Sequence, residues 1–245
     1  MTWSIVAVDP VTREVGVGAA TCTVGVELVR GVVPGRGVLA AQAQTNLHAR
    51  NQARAALAAG AGADEVLKAA RDASGRFGLS QWKDQQFAVA VLDPEPRALA
   101  HTGDDTVAWS GSRGAQAVSV QGNMLRGAEV VEVALAAFAS EAPMAGGRPP
   151  DLAERILRGL EAGAEAGGDN RCPFDCPCLT AFLAVARPDE DEARDETQGP
   201  ALYCVAPKAF GLKGALKHSL VPYRRAPGDP TPTEALRALV DAARG

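Results

Sequence analysis

A threonine stands directly behind the initiator methionine in Met1-Thr2-Trp3-Ser4, and the chain runs at once into a β-rich segment. Removal of Met1 would leave a free α-amine and a hydroxyl on one residue, a nucleophile that carries its own general base. Position alone favours the plainer reading, in which Thr2 only opens a strand. Three further clusters are more polar than their surroundings require. Gln42-Ala43-Gln44-Thr45-Asn46 and Ser119-Val120-Gln121-Gly122-Asn123 end expected strands, and Gly167-Gly168-Asp169-Asn170-Arg171 follows an expected helix. Amides in such places can aim a donor and an acceptor at a ligand, or they can cap a turn. Each cluster alone reads as capping; together they point to a shared polar site.

The chain has five cysteines. Cys172, Cys176 and Cys178 crowd one Pro-rich loop, while Cys22 and Cys204 stand alone. A Cys-x3-Cys-x-Cys run can bind zinc if a fourth ligand folds in, Cys204 or Cys22 being the candidates by type. It lacks the paired Cys-x2-Cys knuckles of ordinary structural zinc sites. No basic region followed by an apolar stretch marks an export signal, so reduced thiols in the cytoplasm are expected, with a redox-sensitive pair as the other reading. Neither a metal nor a cofactor is expected. His48, His101 and His218 read as surface or packing residues, with His101 beside Thr102-Gly103 the one that can border a site.

Composition narrows the partners. A formal net charge of -4 gives no electrostatic reason to expect nucleic acid, and no apolar run is long enough to span a bilayer. The expected partner is a small-molecule or peptide substrate, with self-association into a homo-oligomer left open. Nearly half of the 245 residues are hydrophobic, mostly Ala, Val and Leu, which suits a large, closely packed core.

The elements that must position these residues come in groups. Strands are expected over Trp3 to Asp9 and Val15 to Ala20, joined by turn chemistry at Asp9-Pro10, and again over Val38 to Gln44. Gly16 and Gly18, alternating with apolar residues, imply that something packs closely on that face. A helix pair follows over about Ala49 to Ala59 and Ala63 to Ala73, then strands over Phe87 to Leu92, Ala98 to Thr102, Val107 to Ser110 and Ala117 to Gln121. A second helix pair spans about Ala128 to Ala139 and Asp151 to Ala166. Strands over Leu179 to Ala186 and Leu202 to Val205 flank a solvated acidic run, Asp189 to Glu196. Thr231-Pro232-Thr233-Glu234 opens a last helix. Hairpin groups separated by helix pairs argue for antiparallel sheets with helices on their outer faces, an α+β sandwich of four layers, αββα. One domain over 1–245 is expected, with the cysteine-rich loop at 172–178 and a helical tail from about residue 206.

Several motifs, taken in order, resemble the DUF1028 family. They are Ser4-Ile5-Val6-Ala7-Val8-Asp9-Pro10 with Glu14-Val15-Gly16-Val17-Gly18; Gln42 to Asn46; His101-Thr102-Gly103 with Trp109; Ser119 to Asn123 with Gly127; Leu152-Ala153-Glu154-Arg155; and Gly167-Gly168-Asp169. The resemblance covers about residues 2 to 186. It implies the αββα fold of the N-terminal-nucleophile hydrolases, in which the first residue attacks an amide carbonyl and its own amine takes the proton. On that analogy Thr2 is the nucleophile. Gln44, Asn46, Gln121 and Asn123 are candidates for substrate or oxyanion hydrogen bonds, and Asp169 with Arg171 for orientation. The implied activity is hydrolysis of a small peptide or an acylated amine. The alternative is a non-catalytic small-molecule-binding or redox- or metal-sensing protein on the same fold.

The sequence also departs from that pattern. Proteasome-like members of the superfamily place a lysine near the nucleophile, and no lysine precedes Lys68 here, so the helper is absent or replaced by Arg13 or Arg30. Cys22 follows Thr21 where many family members carry a serine, and the loop at Cys172 to Cys178 is unlike theirs.

Overall fold

A mostly apolar strand has to lie between two packed layers, and β1 (Thr2–Val8) does: every residue of it is buried. The computed structural model describes residues 2–189, 202–205 and 229–244. In it β1 pairs antiparallel with β2 (Val15–Thr21) on one side and with β8 (Val118–Asn123) on the other. The first strand is thus central in its sheet, and the hairpin expected between the first two strands is the one found.

Two antiparallel sheets result. The first adds β7 (Gly111–Ala115), β9 (Thr180–Ala186) and β10 (Leu202–Val205), in the order β10-β9-β2-β1-β8-β7. The second holds β3 (Arg30–Val33), β4 (Gly37–Ala43), β5 (Gln85–Val91) and β6 (Arg97–Thr102), in sequence order. Side chains alternate faces along each strand, and the alternation sorts the core into three apolar layers. Trp3, Ile5 and Ala7 pack under α3 (Glu129–Ala139), α4 (Leu152–Glu165) and α5 (Pro232–Arg244). Val6, Val8, Val15 and Val17 meet Val38, Ala40, Ala88 and Ala90 between the sheets. Leu39, Phe87 and Val89 pack under α1 (Leu47–Ala58) and α2 (Ala63–Ala73). The chain is an α+β sandwich with helices outside both sheets.

Local chemistry explains how the elements start and meet. Asp9 Oδ1 accepts the N–H groups of Val11 and Thr12, closing the first hairpin. Gly16 and Gly18 leave room for α4: a Cβ on either would stand 2.6 Å from the Ile156 side chain. Asp151 caps α4 by accepting the Glu154 N–H, and Thr231 and Glu234 exchange bonds in a capping box at α5.

Two strand expectations change. Val107 to Ser110 is not a strand: the Val107 and Trp109 carbonyls accept from Met124 and Leu125, Thr106 Oγ1 bonds Gly103 O and Ser110 Oγ, and the strand runs over Gly111–Ala115 instead. β3, which glycine-containing Arg30-Gly31-Val32-Val33 did not announce, forms the edge beside β4. The acidic run from residue 190 and the tail from 206 up to residue 228 lie outside the described residues. Among the described residues no helix is long and apolar enough to cross a membrane.

Candidate functional site

The inter-sheet layer is apolar through most of its depth and turns polar at one end. On β1 the residues facing the second sheet are Thr2, Ser4, Val6 and Val8, because the odd positions face the helices. Thr2 stands at the open end of this row. Its register partners are Thr21 on β2 and Asn123 on β8, and Thr21 in turn faces Thr180 on β9. Four neighbouring strands therefore end in a lateral row of hydroxyls and one amide, Thr180-Thr21-Thr2-Asn123. All four residues are buried, Thr2 at 4% exposure.

Beneath that row the sheets are joined by a closed amide network. Ser4 Oγ donates to Gln42 Oε1 at 2.7 Å and accepts from Gln121 Nε2, whose oxygen takes the Ser119 hydroxyl at 3.1 Å. Gln42 Nε2 donates to Gln86 Oε1 at 2.7 Å and to the Thr2 carbonyl at 3.2 Å. Gln86 is the hub: its oxygen also receives Asn123 Nδ2 at 3.0 Å, and its amide donates to Thr102 Oγ1, Gly111 O and Gly122 O. Buried polar groups need such partners, and here they fix the spacing of the two sheets directly under Thr2. Thr2 itself bonds through its backbone; among the described residues none engages its hydroxyl.

The loop after α4 closes the other side. Asp169 is fully buried, and its carboxylate accepts the Cys22 N–H at 2.8 Å, the Arg171 N–H, and Arg171 Nε and Nη2 at 3.0 and 2.6 Å. Its segment is held by the bridge Leu125–Asp169 and by Arg126, which donates to Gly167 O and Cys172 O. Cys22, directly after Thr21, forms a disulfide with Cys172. This corrects the expectation that Cys22 stands alone as a reduced thiol; the fold brings the end of β2 against the loop, a proximity that spacing does not reveal. Cys176 and Cys178 are buried and unbridged, and burial pushes the Cys178 thiol well above its ordinary range. Among the described residues no three His, Cys, Asp or Glu side chains are grouped as metal ligands.

The residues singled out from the sequence divide accordingly. Asn123 and Asp169 converge on the Thr2 end, with Arg171 held on Asp169; Gln121 lies one row deeper, bonded to Ser4. Asn46 caps α1, accepting the Ala49 N–H at 3.0 Å and donating to Ser80 O at 3.3 Å. Gln44 is exposed just past β4, its side chain outside the network. Of the two arginines weighed as substitutes for a lysine, Arg13 sits in the hairpin at the opposite end, bonded to Asp93 and Gly35 O. Arg30 opens β3 in register with Ala40 and donates to Glu27 O. His101 stacks on Trp82 with ring centroids 3.8 Å apart, and burial lowers its pKa. Ser4, Gln86, Thr21 and Thr180 are not among the sequence candidates, and Gln42 opens the first polar cluster without being one of them. The signal that finds them is a polar side chain at the inward position of a strand end, repeated on several strands.

Two packed antiparallel sheets covered by helices, with a buried polar row at the end of the central strand, define the class. The chain belongs to the DUF1028 family, described as a family of unknown function, whose model matches residues 2–199. A crystal structure of protein SPO2555 from Silicibacter pomeroyi, a DUF1028 protein, is similar to it with a TM-score of 0.70 at 23% sequence identity. That likeness covers 100% of this chain and 89% of that one. No curated protein matches the chain.

Proposed function

We propose that the polar end of the inter-sheet layer is the site of an amide hydrolase of the N-terminal-nucleophile type. Its substrate would be a small peptide or an acylated amine, and its nucleophile Thr2. The observation that carries the reading is the unengaged Thr2 hydroxyl at the end of the central strand, between Thr21 and Asn123. In the proposed reaction the Thr2 α-amine, freed by removal of what precedes it, takes the hydroxyl proton as Oγ1 attacks the amide carbon. The same amine then protonates the departing nitrogen, and water hydrolyses the ester so formed. The amide network under Thr2 acts as scaffold: Gln42 is bonded to Gln86, Gln121 is joined to Gln42 through the Ser4 hydroxyl, and together they hold the strand end rigid. The proposed oxyanion donor is Asn123, the register partner of Thr2 on β8.

Intact mass and a hydroxyl-directed electrophile test the reading together. The purified protein should begin at Thr2 and add one equivalent of a β-lactone at that residue, and Thr2→Ala should add none. A chain that retains Met1, or one whose Thr2→Ala variant labels as well as the parent, would make it a binding protein on a hydrolase scaffold.

A further inference from the structure

The Thr2 end carries a covalent closure whose position suits control. Cys22 follows Thr21, the register partner of Thr2, and its sulfur is joined to Cys172 across a sequence separation of 150. Cys172 lies in the segment that carries Asp169, and that carboxylate accepts the Cys22 N–H. One bond thus fastens the Asp169 segment across the end of β2, beside the candidate nucleophile. The two half-cystines differ in burial: Cys22 is half-buried, whereas Cys172 is 5% exposed.

We propose that the Cys22–Cys172 bond is a redox-cleaved clamp on the Thr2 site, closed when oxidised and opened by a dithiol reductant. The clamp itself stands on the disulfide and its surroundings; its consequence for chemistry rests on the hydrolase reading above. A thiolate of the reductant attacks Cys22 Sγ, the Cys22–Cys172 bond breaks, and Cys172 leaves as a thiolate that takes up a proton. The second thiol of the reductant then displaces Cys22 from the mixed disulfide. The protein gains two thiols and the reductant becomes a disulfide, so electrons and protons balance. Arg126 donates to the Cys172 carbonyl at 2.7 Å and holds the backbone of the leaving residue in place. Cys178 is a poor competitor in exchange because burial disfavours its thiolate.

Reduction would loosen the segment without dismantling it. The Cys22 N–H to Asp169 bond, the Arg171 contacts and the Arg126 contacts all survive cleavage of the sulfurs. What is lost is the covalent tie between the segment and the end of β2, so hydrogen bonds alone hold residues 167–178 there. In a reducing compartment a bond of this kind is transient or regulatory rather than a permanent staple.

The test compares the protein as purified in air, the same protein in dithiothreitol, and the Cys22→Ser/Cys172→Ser variant. Non-reducing peptide mapping should recover the Cys22–Cys172 link, and dithiothreitol should cleave it in the folded protein. Hydrogen exchange of residues 167–178 should then quicken at least tenfold while β1 stays protected, and β-lactone labelling of Thr2 should fall at least tenfold. Reoxidation should restore both in the parent and neither in the variant. Should the variant not fold, the reduced parent carries the comparison alone. An unlinked Cys22 and Cys172 in the air-purified protein, or cleavage only after unfolding in guanidinium, would overturn the clamp. So would equal exchange, or equal and detectable labelling, in the two redox states. If exchange quickens while no state labels, the clamp stands and the nucleophile reading falls.

Discussion

Asp169 and Cys22 meet across most of the chain: the fully buried carboxylate accepts the Cys22 backbone N–H at 2.8 Å while it also holds Arg171. A carboxylate withdrawn from water is tolerable only when its oxygens are occupied, and these bonds occupy both. The same contact pins the end of β2, and through the Thr21–Thr2 register it pins the start of β1.

Asp169→Asn keeps the shape but removes the charge and replaces one acceptor oxygen with an NH2 donor facing N–H donors. It should cost about 2–4 kcal/mol of stability. The check is the urea midpoint at unchanged slope; a midpoint equal to the parent's would show that the carboxylate is dispensable.

Gln86 should be the most sensitive of the amides. Gln86→Leu strands Gln42 and Asn123 as donors and leaves Gly111 O, Gly122 O and the Thr102 hydroxyl without their amide, for an expected loss of about 3 kcal/mol or more. Gln44→Ala, on an exposed side chain, should stay within about 0.5 kcal/mol. Chemical denaturation of both variants decides whether the network or the neighbouring surface amide matters.

Glu154 sets an acid limit on the docking of α5. Burial pushes its pKa up, but bonds from Arg237, Arg244 and Arg158 prevail and bring it from 4.5 down to about 2. A carboxylate depressed on folding contributes its stability in full above its unfolded pKa and loses it as pH falls toward the folded one. Between about pH 5 and pH 2 the protein should therefore lose up to about 3 kcal/mol from this group. Glu154→Gln should be less stable at neutral pH and should show a shallower decline across that window in urea titrations. An unaltered pH slope would show that the three guanidiniums do not act through this carboxylate.

Gly16 and Gly18, spaced two apart among valines and alanines, announced a close neighbour, and α4 supplies it. A Cβ at position 16 would stand 2.6 Å from Ile156 Cδ1, so Gly16→Ala should cost about 1–3 kcal/mol. Adding Ile156→Val removes the clashing methyl and should return part of the loss in thermal melts. If the two changes are simply additive, the close approach is not what the glycine serves.

What could be read from the chain followed local chemistry. The first hairpin was legible because Asp9-Pro10 turns the chain between two β-rich runs, and the helix starts were legible because Asp151 and Thr231 have the capping chemistry. The strand at Gly111–Ala115 was not, since its Gly, Ser and Arg residues have weak β preference while Val107 beside it has a strong one. Gln86 escaped notice because the strand reads from Phe87 onward, which leaves the hub of the network looking like loop. Asn46 was visible as an amide, yet whether an amide caps a helix or faces a ligand depends on contacts such as Ser80 O that lie far off in sequence. The Cys22–Cys172 pairing had no local signal at all, because connectivity is a property of the fold.

Thr2 permits the sharpest experiment. If its own α-amine is the base, only the neutral amine is competent, and an α-amine titrates at roughly 7.7–8.0 when unperturbed. Labelling of Thr2 by a β-lactone should therefore rise about tenfold for each pH unit below that range and level off above it. Thr2→Ser keeps amine and hydroxyl together and should retain the same profile at a lower plateau. Asn123→Ala removes the amide beside Thr2, and an oxyanion donor lost there would lower the plateau by about 10²–10³ without moving the midpoint. A profile that is flat from pH 6 to 9, or one that Asn123→Ala shifts along the pH axis, would separate the hydroxyl from the amine and end the case for Thr2 as its own base.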